Sequence, residues 1–170
     1  MRVLGIDPGS RATGFGLVDL VEGRPRAVEW GVIRLTAPEP ATRLLALYRA
    51  LHERTLAWRP DLFACESVFV HRSAASALIL GHARGVALCA VLGGERPPVL
   101  HEYSPTLVRK TLTGDGAADK SRLRRMVVLE LGLDTPPALD ASDALALALC
   151  CVHRETRATR FVALGLGGRP

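Results

Sequence analysis

The run Ala144–Val152 is apolar at every position. A helix that is hydrophobic on all sides cannot face water, so this segment must lie buried against the rest of the fold. Asp140 and Asp143 sit immediately before it, and their spacing of three places both on one helical face. Burying the helix therefore carries two carboxylates to an interior edge of the protein. The pair also suits a plainer role, because aspartates at a helix start cap backbone N–H groups and meet the positive end of the helix dipole.

The sheet against which such a helix packs is readable upstream. Val3–Asp7 is a short apolar strand ended by Pro8-Gly9-Ser10, a turn in which Gly9 can take a positive φ. Thr13–Leu20, a hairpin turn at Gly23-Arg24-Pro25 and Ala27–Leu35 extend this into an antiparallel meander. Apolar residues recur at helical spacing over Ala41–Trp58, and Pro60 follows the end of that helix. Leu62–Glu66 and Val99–Tyr103 read as strands on either side of Ala74–Leu92, an Ala- and Leu-rich helix. Gly81 and Gly85, one turn apart in that helix, mark a face that something approaches closely, either the sheet or another chain.

Ser104 and Pro105 form a cap and first turn leading into Thr106–Leu112, and Gly114–Gly116 breaks that helix. Asp119 opens Lys120–Leu131, and Asp140 opens a final helix through His153. The pattern predicts an α/β fold with one five-stranded mixed sheet and helices on both faces. A length of 170 residues suits one domain, assigned to 1–155, with a basic tail over 156–170 expected to be partly disordered.

The formal net charge of +5 favours anionic partners such as nucleic acid, although a modestly basic balance is common in other enzymes. Only Lys110 and Lys120 are lysines, and the chain contains neither Asn nor Gln. The bidentate amide contact to adenine is thus excluded, leaving Arg, hydroxyls and DNA shape as means of sequence preference. Cys65, Cys89, Cys150 and Cys151 show no C-x-x-C spacing and lie in apolar runs, which predicts buried free thiols in a reducing compartment. No charged-then-apolar leader opens the chain, and Ala144–Val152 is too short to span a bilayer, so a soluble cytoplasmic protein is expected.

Asp7 and Glu66 each end an apolar strand. If those strands are neighbours, the two carboxylates meet Asp140 and Asp143 at one edge of the sheet. Like charges held so close raise one another's pKa unless a cation neutralises them. An all-oxygen donor set suits a hard divalent ion such as Mg²⁺ or Mn²⁺. The glycines flanking Asp7, in Gly5-Ile6-Asp7-Pro8-Gly9-Ser10 and Thr13-Gly14-Phe15-Gly16, leave room for a phosphate backbone. Metal-dependent phosphoryl chemistry follows. A strand-Asp-Gly hairpin also begins the phosphate loop of actin-like ATPases, whose fold uses two such domains, so an ATPase or phosphotransferase half is the rival of a different class.

From its first strand to about His153 the chain resembles the RuvC-type Holliday junction resolvases. The matching segments are Gly5-Ile6-Asp7-Pro8-Gly9-Ser10-Arg11, Glu66 to Phe69, Ser76-Ala77 with Leu80-Gly81-His82-Ala83-Arg84-Gly85, Asp119-Lys120-Ser121 and Asp140-Ala141-Ser142-Asp143-Ala144. The resemblance implies an RNase H-like fold, a homodimer and symmetric cutting of a four-way junction to leave 5′ phosphates. It implies Asp7, Glu66, Asp140 and Asp143 as catalytic ligands of two Mg²⁺ ions, with Mn²⁺ as a substitute, and branch-migration partners of the RuvA and RuvB type. Lys120 and Arg109 match basic positions that meet the DNA backbone, Arg109 standing where relatives commonly have lysine. Phe69 matches an exposed wedge at the crossover, and Arg72, Arg84 and Arg122 complete the candidate DNA contacts. His71-Arg72-Ser73 departs from relatives that carry Asn near this point. A nuclease of the same fold acting on RNA or RNA–DNA hybrids is the second rival, and the acidic quartet argues against a binding module without cleavage.

Overall fold

The computed structural model describes residues 1–67 and 74–163. Among these, five strands form one sheet in the order β3-β2-β1-β4-β5. They are β1 (Arg2–Asp7), β2 (Ala12–Val21), β3 (Arg24–Arg34), β4 (Leu62–Glu66) and β5 (Val99–Tyr103). β1 is antiparallel to β2 and parallel to β4, and β4 is parallel to β5, so the sheet is mixed as expected.

Alternate side chains of a strand point to opposite faces, and the two faces here have separate cores. Leu4, Ile6, Leu17, Phe63 and Cys65 pack with residues of α1 (Pro40–Trp58) and α2 (Ala74–Leu92). Val3, Val18, Ala64 and Tyr103 pack instead with α3 (Pro105–Thr113), α4 (Lys120–Leu131) and α5 (Leu139–Ala163). The apolar run of α5 is buried throughout, from Ala144 to Val152.

α5 approaches the sheet so closely that side chains are missing from the strands beneath it. Gly5 of β1 faces Gly16 of β2 across the ladder, and Asp7 faces Gly14. A Cβ on Gly5 would lie 2.0 Å from the Ala144 carbonyl oxygen, and one on Gly14 would lie 1.9 Å from that of Asp140. The glycines expected to admit a phosphate backbone instead admit the backbone of α5. Gly9 likewise does not take a positive φ; it is required because a Cβ there would meet the Ala12 carbonyl oxygen at 2.2 Å.

Three further expectations need correction. The hairpin turn is Glu22-Gly23, two residues in the left-handed region at φ 51 and 76, and Pro25 already belongs to the edge strand β3. Two-residue turns of this hand match the twist of the strands they join, and an outer strand tolerates proline. α5 continues ten residues past His153 to Ala163, so much of the expected tail is helical. There His153 pairs with Glu130 of α4, and Glu155 lies 3.8 Å from His101 of β5. Finally, α2 contains a window, Ala75–Leu92, with mean hydropathy 1.7, long and apolar enough by length and composition to cross a membrane. The expected burial of all four cysteines also fails in this helix. Only 22% of that window is buried, and Cys89 within it is exposed, unlike the other three cysteines.

If the glycine bed sets the height of α5, Gly5→Ala should destabilise the protein by roughly 3 kcal/mol, the upper range for overpacking a tight core. Urea unfolding followed by circular dichroism measures this, and a loss below about 0.5 kcal/mol, within the scatter of neutral surface substitutions, would show that α5 can lift without cost.

Candidate active site

The strand registers place the acidic residues. Gly5 and Ala64 are neighbours in the parallel β1–β4 pair, so Asp7 and Glu66, two residues further on in each strand, emerge together on the face covered by α5. β4 is held to β5 up to its end by the Glu66–Tyr103 register and by the Ser67 N–H donating to the Tyr103 carbonyl at 2.9 Å. The close seat of α5 on Gly14 brings the helix start, with Asp140 and Asp143, beside Asp7.

Electrostatics record the convergence. The Asp7 carboxyl is pushed up from its ordinary 3.8 to about 7, first by burial and then by the charges of Asp143 and Glu66, with a smaller push from Asp140. Lys120 acts in the opposite sense. Its ammonium donates to Asp143 at 2.7 Å, and this contact, before the charges of Asp7 and Glu66, raises the Lys120 pKa. Lys120 is placed by Asp119, whose side chain accepts from the Arg122 N–H at 2.7 Å and caps α4.

An open cavity of about 620 Å³ fronts this cluster. Asp7, Glu66 and Asp143 lie on its wall with Lys120, Arg109 and Arg84. The quartet shares one electrostatic neighbourhood, but among the described residues no three acidic, histidine or cysteine side chains close on a common ion position. One arm of the cluster, Asp143, is held by Lys120. The donor chemistry fits a hard divalent ion: all four groups offer oxygen, and the repulsion that raises Asp7 is of the kind a cation relieves.

The remaining sequence candidates divide. Arg109 of α3 is partly buried on the cavity wall. Arg84 of α2 donates from Nε to the Glu66 carbonyl at 3.3 Å and forms an ion pair with Glu102. Arg122 is not part of the cavity wall; its guanidinium donates to the Thr113 carbonyl at 3.2 Å and lies 3.8 Å from Asp115, bracing the α3–α4 connection. Phe69 and Arg72 lie outside the described residues. Sequence reasoning missed Glu102, although its alternation with Tyr103 at the end of β5 would have placed it on the α2 side beside Cys65.

The fold and its acidic sheet edge define an RNase H-like α/β protein. Residues 3–151 match the family model described as Crossover junction endodeoxyribonuclease RuvC. The chain is 46% identical over 165 residues to the crossover junction endodeoxyribonuclease RuvC of Alkalilimnicola ehrlichii, covering 96% of this chain and 98% of the relative. It is similar to the Thermus thermophilus RuvC structure at 30% identity, with a TM-score of 0.79 and 98% of both chains covered. The T. thermophilus RuvC structure in complex with a Holliday junction substrate matches at 28% identity and a TM-score of 0.78, again over 98% of both chains. The chain belongs to the RuvC family.

The raised Asp7 pKa has a measurable sign. Its folded value of about 7 exceeds the ordinary 3.8, so the stabilisation from protonated Asp7 is complete below 3.8 and is lost as pH rises through 7. In chelator, Asp7→Asn should melt above wild type at about pH 8, with the gain vanishing near pH 4. Thermal scans at both pH values check this; a gain of equal size at each would show that the Asp7 charge is not its cause.

Proposed function

We propose that this protein resolves four-way DNA junctions by paired, symmetric nicks of the phosphodiester backbone, in recombination and repair. The observation that carries the reading is the site itself: Asp7 feels the charges of Asp143, Glu66 and Asp140 at the wall of an open cavity that Lys120, Arg109 and Arg84 also line. Asp7, Glu66, Asp140 and Asp143 would hold two Mg²⁺ ions, with Mn²⁺ as a substitute. Bound there, such ions would supply an activated water and stabilise the leaving oxygen, and departure of the 3′ oxygen would leave 5′-phosphate products.

The chain's own cations serve the substrate. Lys120, 66% exposed at its side chain, and Arg109 reach the cavity from α4 and α3, where each can meet a backbone phosphate. Arg84 adds positive charge on the α2 side. Arg122 contributes to the basic surface from outside the cavity. Phe69 as a crossover wedge and Arg72 as a nearby phosphate contact complete this reading.

Two symmetric cuts require two sites, and the outer face of α2 suits a second copy. Leu78 and Ile79 are 61% and 51% exposed, and among the described residues nothing lies within 4 Å of a Cβ built on Gly81 or Gly85. The sheet does not use these glycines, so the close approach they permit is available to an isologous partner helix. In this reading the protein would act in the cytoplasm, together with branch-migration proteins of the RuvA and RuvB type.

Synthetic mobile and immobile four-way junctions test the reading. Wild type with Mg²⁺ should give paired nicks, and Asp7→Asn should bind the junction while losing cutting by about 100-fold or more, as removal of a metal ligand or its immediate support does. Equal cutting of linear duplex or of an RNA–DNA hybrid would overturn junction selectivity.

For the dimer, Ile79→Glu should halve the mass seen by sedimentation while leaving the far-ultraviolet spectrum intact. It should also replace paired nicks by uncoupled single nicks. A wild-type mass of one chain at micromolar concentration would refute this interface.

A further inference from the structure

Glu66 ends β4, where an exposed strand terminus would ordinarily be free to fray. Its backbone is held from the side opposite its carboxylate. In the β4–β5 register Cys65 faces Glu102 and Glu66 faces Tyr103, so Glu102 emerges on the α2 side while Glu66 emerges on the α5 side. Arg84 of α2 spans that end of the sheet, donating from Nε to the Glu66 carbonyl at 3.3 Å and from its terminal nitrogen to the Glu102 carboxylate. The Arg84 side chain is 16% exposed and that of Glu102 is 45% exposed, so the guanidinium is the more enclosed member of the pair.

A guanidinium has five donors in a rigid fork, and fixing one edge on a carboxylate fixes the direction of the others. We propose that Glu102 is a positioning residue for the cutting site. By orienting Arg84 it anchors the Glu66 carbonyl, and thereby holds the Glu66 carboxylate at the cavity wall. Among the described residues, Glu102 is not on the cavity wall and pairs with Arg84 rather than with the acidic cluster. The inference rests on the reading above that Glu66 is a metal ligand.

Three variants separate the two claims. Glu102→Ala should raise the Mg²⁺ concentration for half-maximal nicking about tenfold, the low end for loss of a residue that supports a ligand. Mn²⁺ affinity of the DNA-free protein, read by calorimetry, should fall by the same factor. Junction affinity in chelator should change less than about twofold, a difference within measurement scatter at RT ln 2. Glu102→Gln keeps an acceptor for Arg84 and should recover most of the metal affinity. Unchanged Mn²⁺ affinity in Glu102→Ala would overturn the proposal. So would a loss confined to junction binding in chelator, which would make Glu102 a support for an Arg84–phosphate contact instead. Glu66→Gln, measured in parallel, tests the underlying reading: if it retains full Mn²⁺ affinity and nicking, Glu66 is no ligand. If it loses both while Glu102→Ala is silent, only the positioning role fails.

Discussion

Everything at the acidic edge depends on how closely one helix can lie on two strands. The backbone of α5 rests on Gly5, Gly14 and Gly16, positions where a single added carbon would collide with helix atoms. Because Gly14 is the ladder partner of Asp7, the contact that seats the helix start is also the contact that sets its distance from Asp7. A thicker interface with ordinary side chains would lift Asp140 and Asp143 away from the strand ends. The burial of Ala144–Val152 supplies the driving force, since each fully buried leucine stabilises by roughly 2 kcal/mol relative to exposure.

That apolar attraction works against an electrostatic cost at the same place. Asp7 is half-buried and crowded by like charges, and its raised pKa measures the penalty. The chain itself offsets part of the penalty with Lys120, which is aimed by the Asp119 cap and pairs with Asp143. A single exposed ammonium is a weak counter-charge for four carboxylates, because solvent screens such pairs to at most about 1 kcal/mol. The site therefore retains a strong appetite for further positive charge, while the basic surface around it draws in the polyanion on which it acts.

The mixed five-stranded sheet and the β4, α2 and β5 boundaries were legible in the sequence, as was the approach of Asp7, Glu66, Asp140 and Asp143 to one another, because strand alternation and the apolar helix leave few ways to bury both. What was not legible arose from backbone geometry and from contacts between segments. Gly9, Gly14 and Gly16 looked like room for phosphate, yet their neighbours are the chain's own carbonyls and helix. The end of α5 was hidden because the charged residues after Val152 carry no apolar period, and what holds that helix includes the contacts of Glu155 with His101 of β5 and of His153 with Glu130 of α4. The Arg84–Glu102 pair joins residues on α2 and β5 that meet only once the parallel strands are in register.

The same helix serves the cavity and the outward apolar surface. α2 lines the cavity through Ser76, Ala77, Ile79, Leu80 and Arg84, while Leu78 and Ile79 remain largely exposed. Ile79 belongs to both surfaces, so a partner packed on this helix would border the cavity directly. Through Arg84 the helix also grips the carbonyl of Glu66. A rigid helix gripped at one end of the sheet transmits a displacement rather than absorbing it, since packed interiors resist deformation. Pairing of two copies along α2 would thus fix the distance between two cavities and steady the strand end that presents Glu66 in each, tying symmetry of assembly to symmetry of cutting.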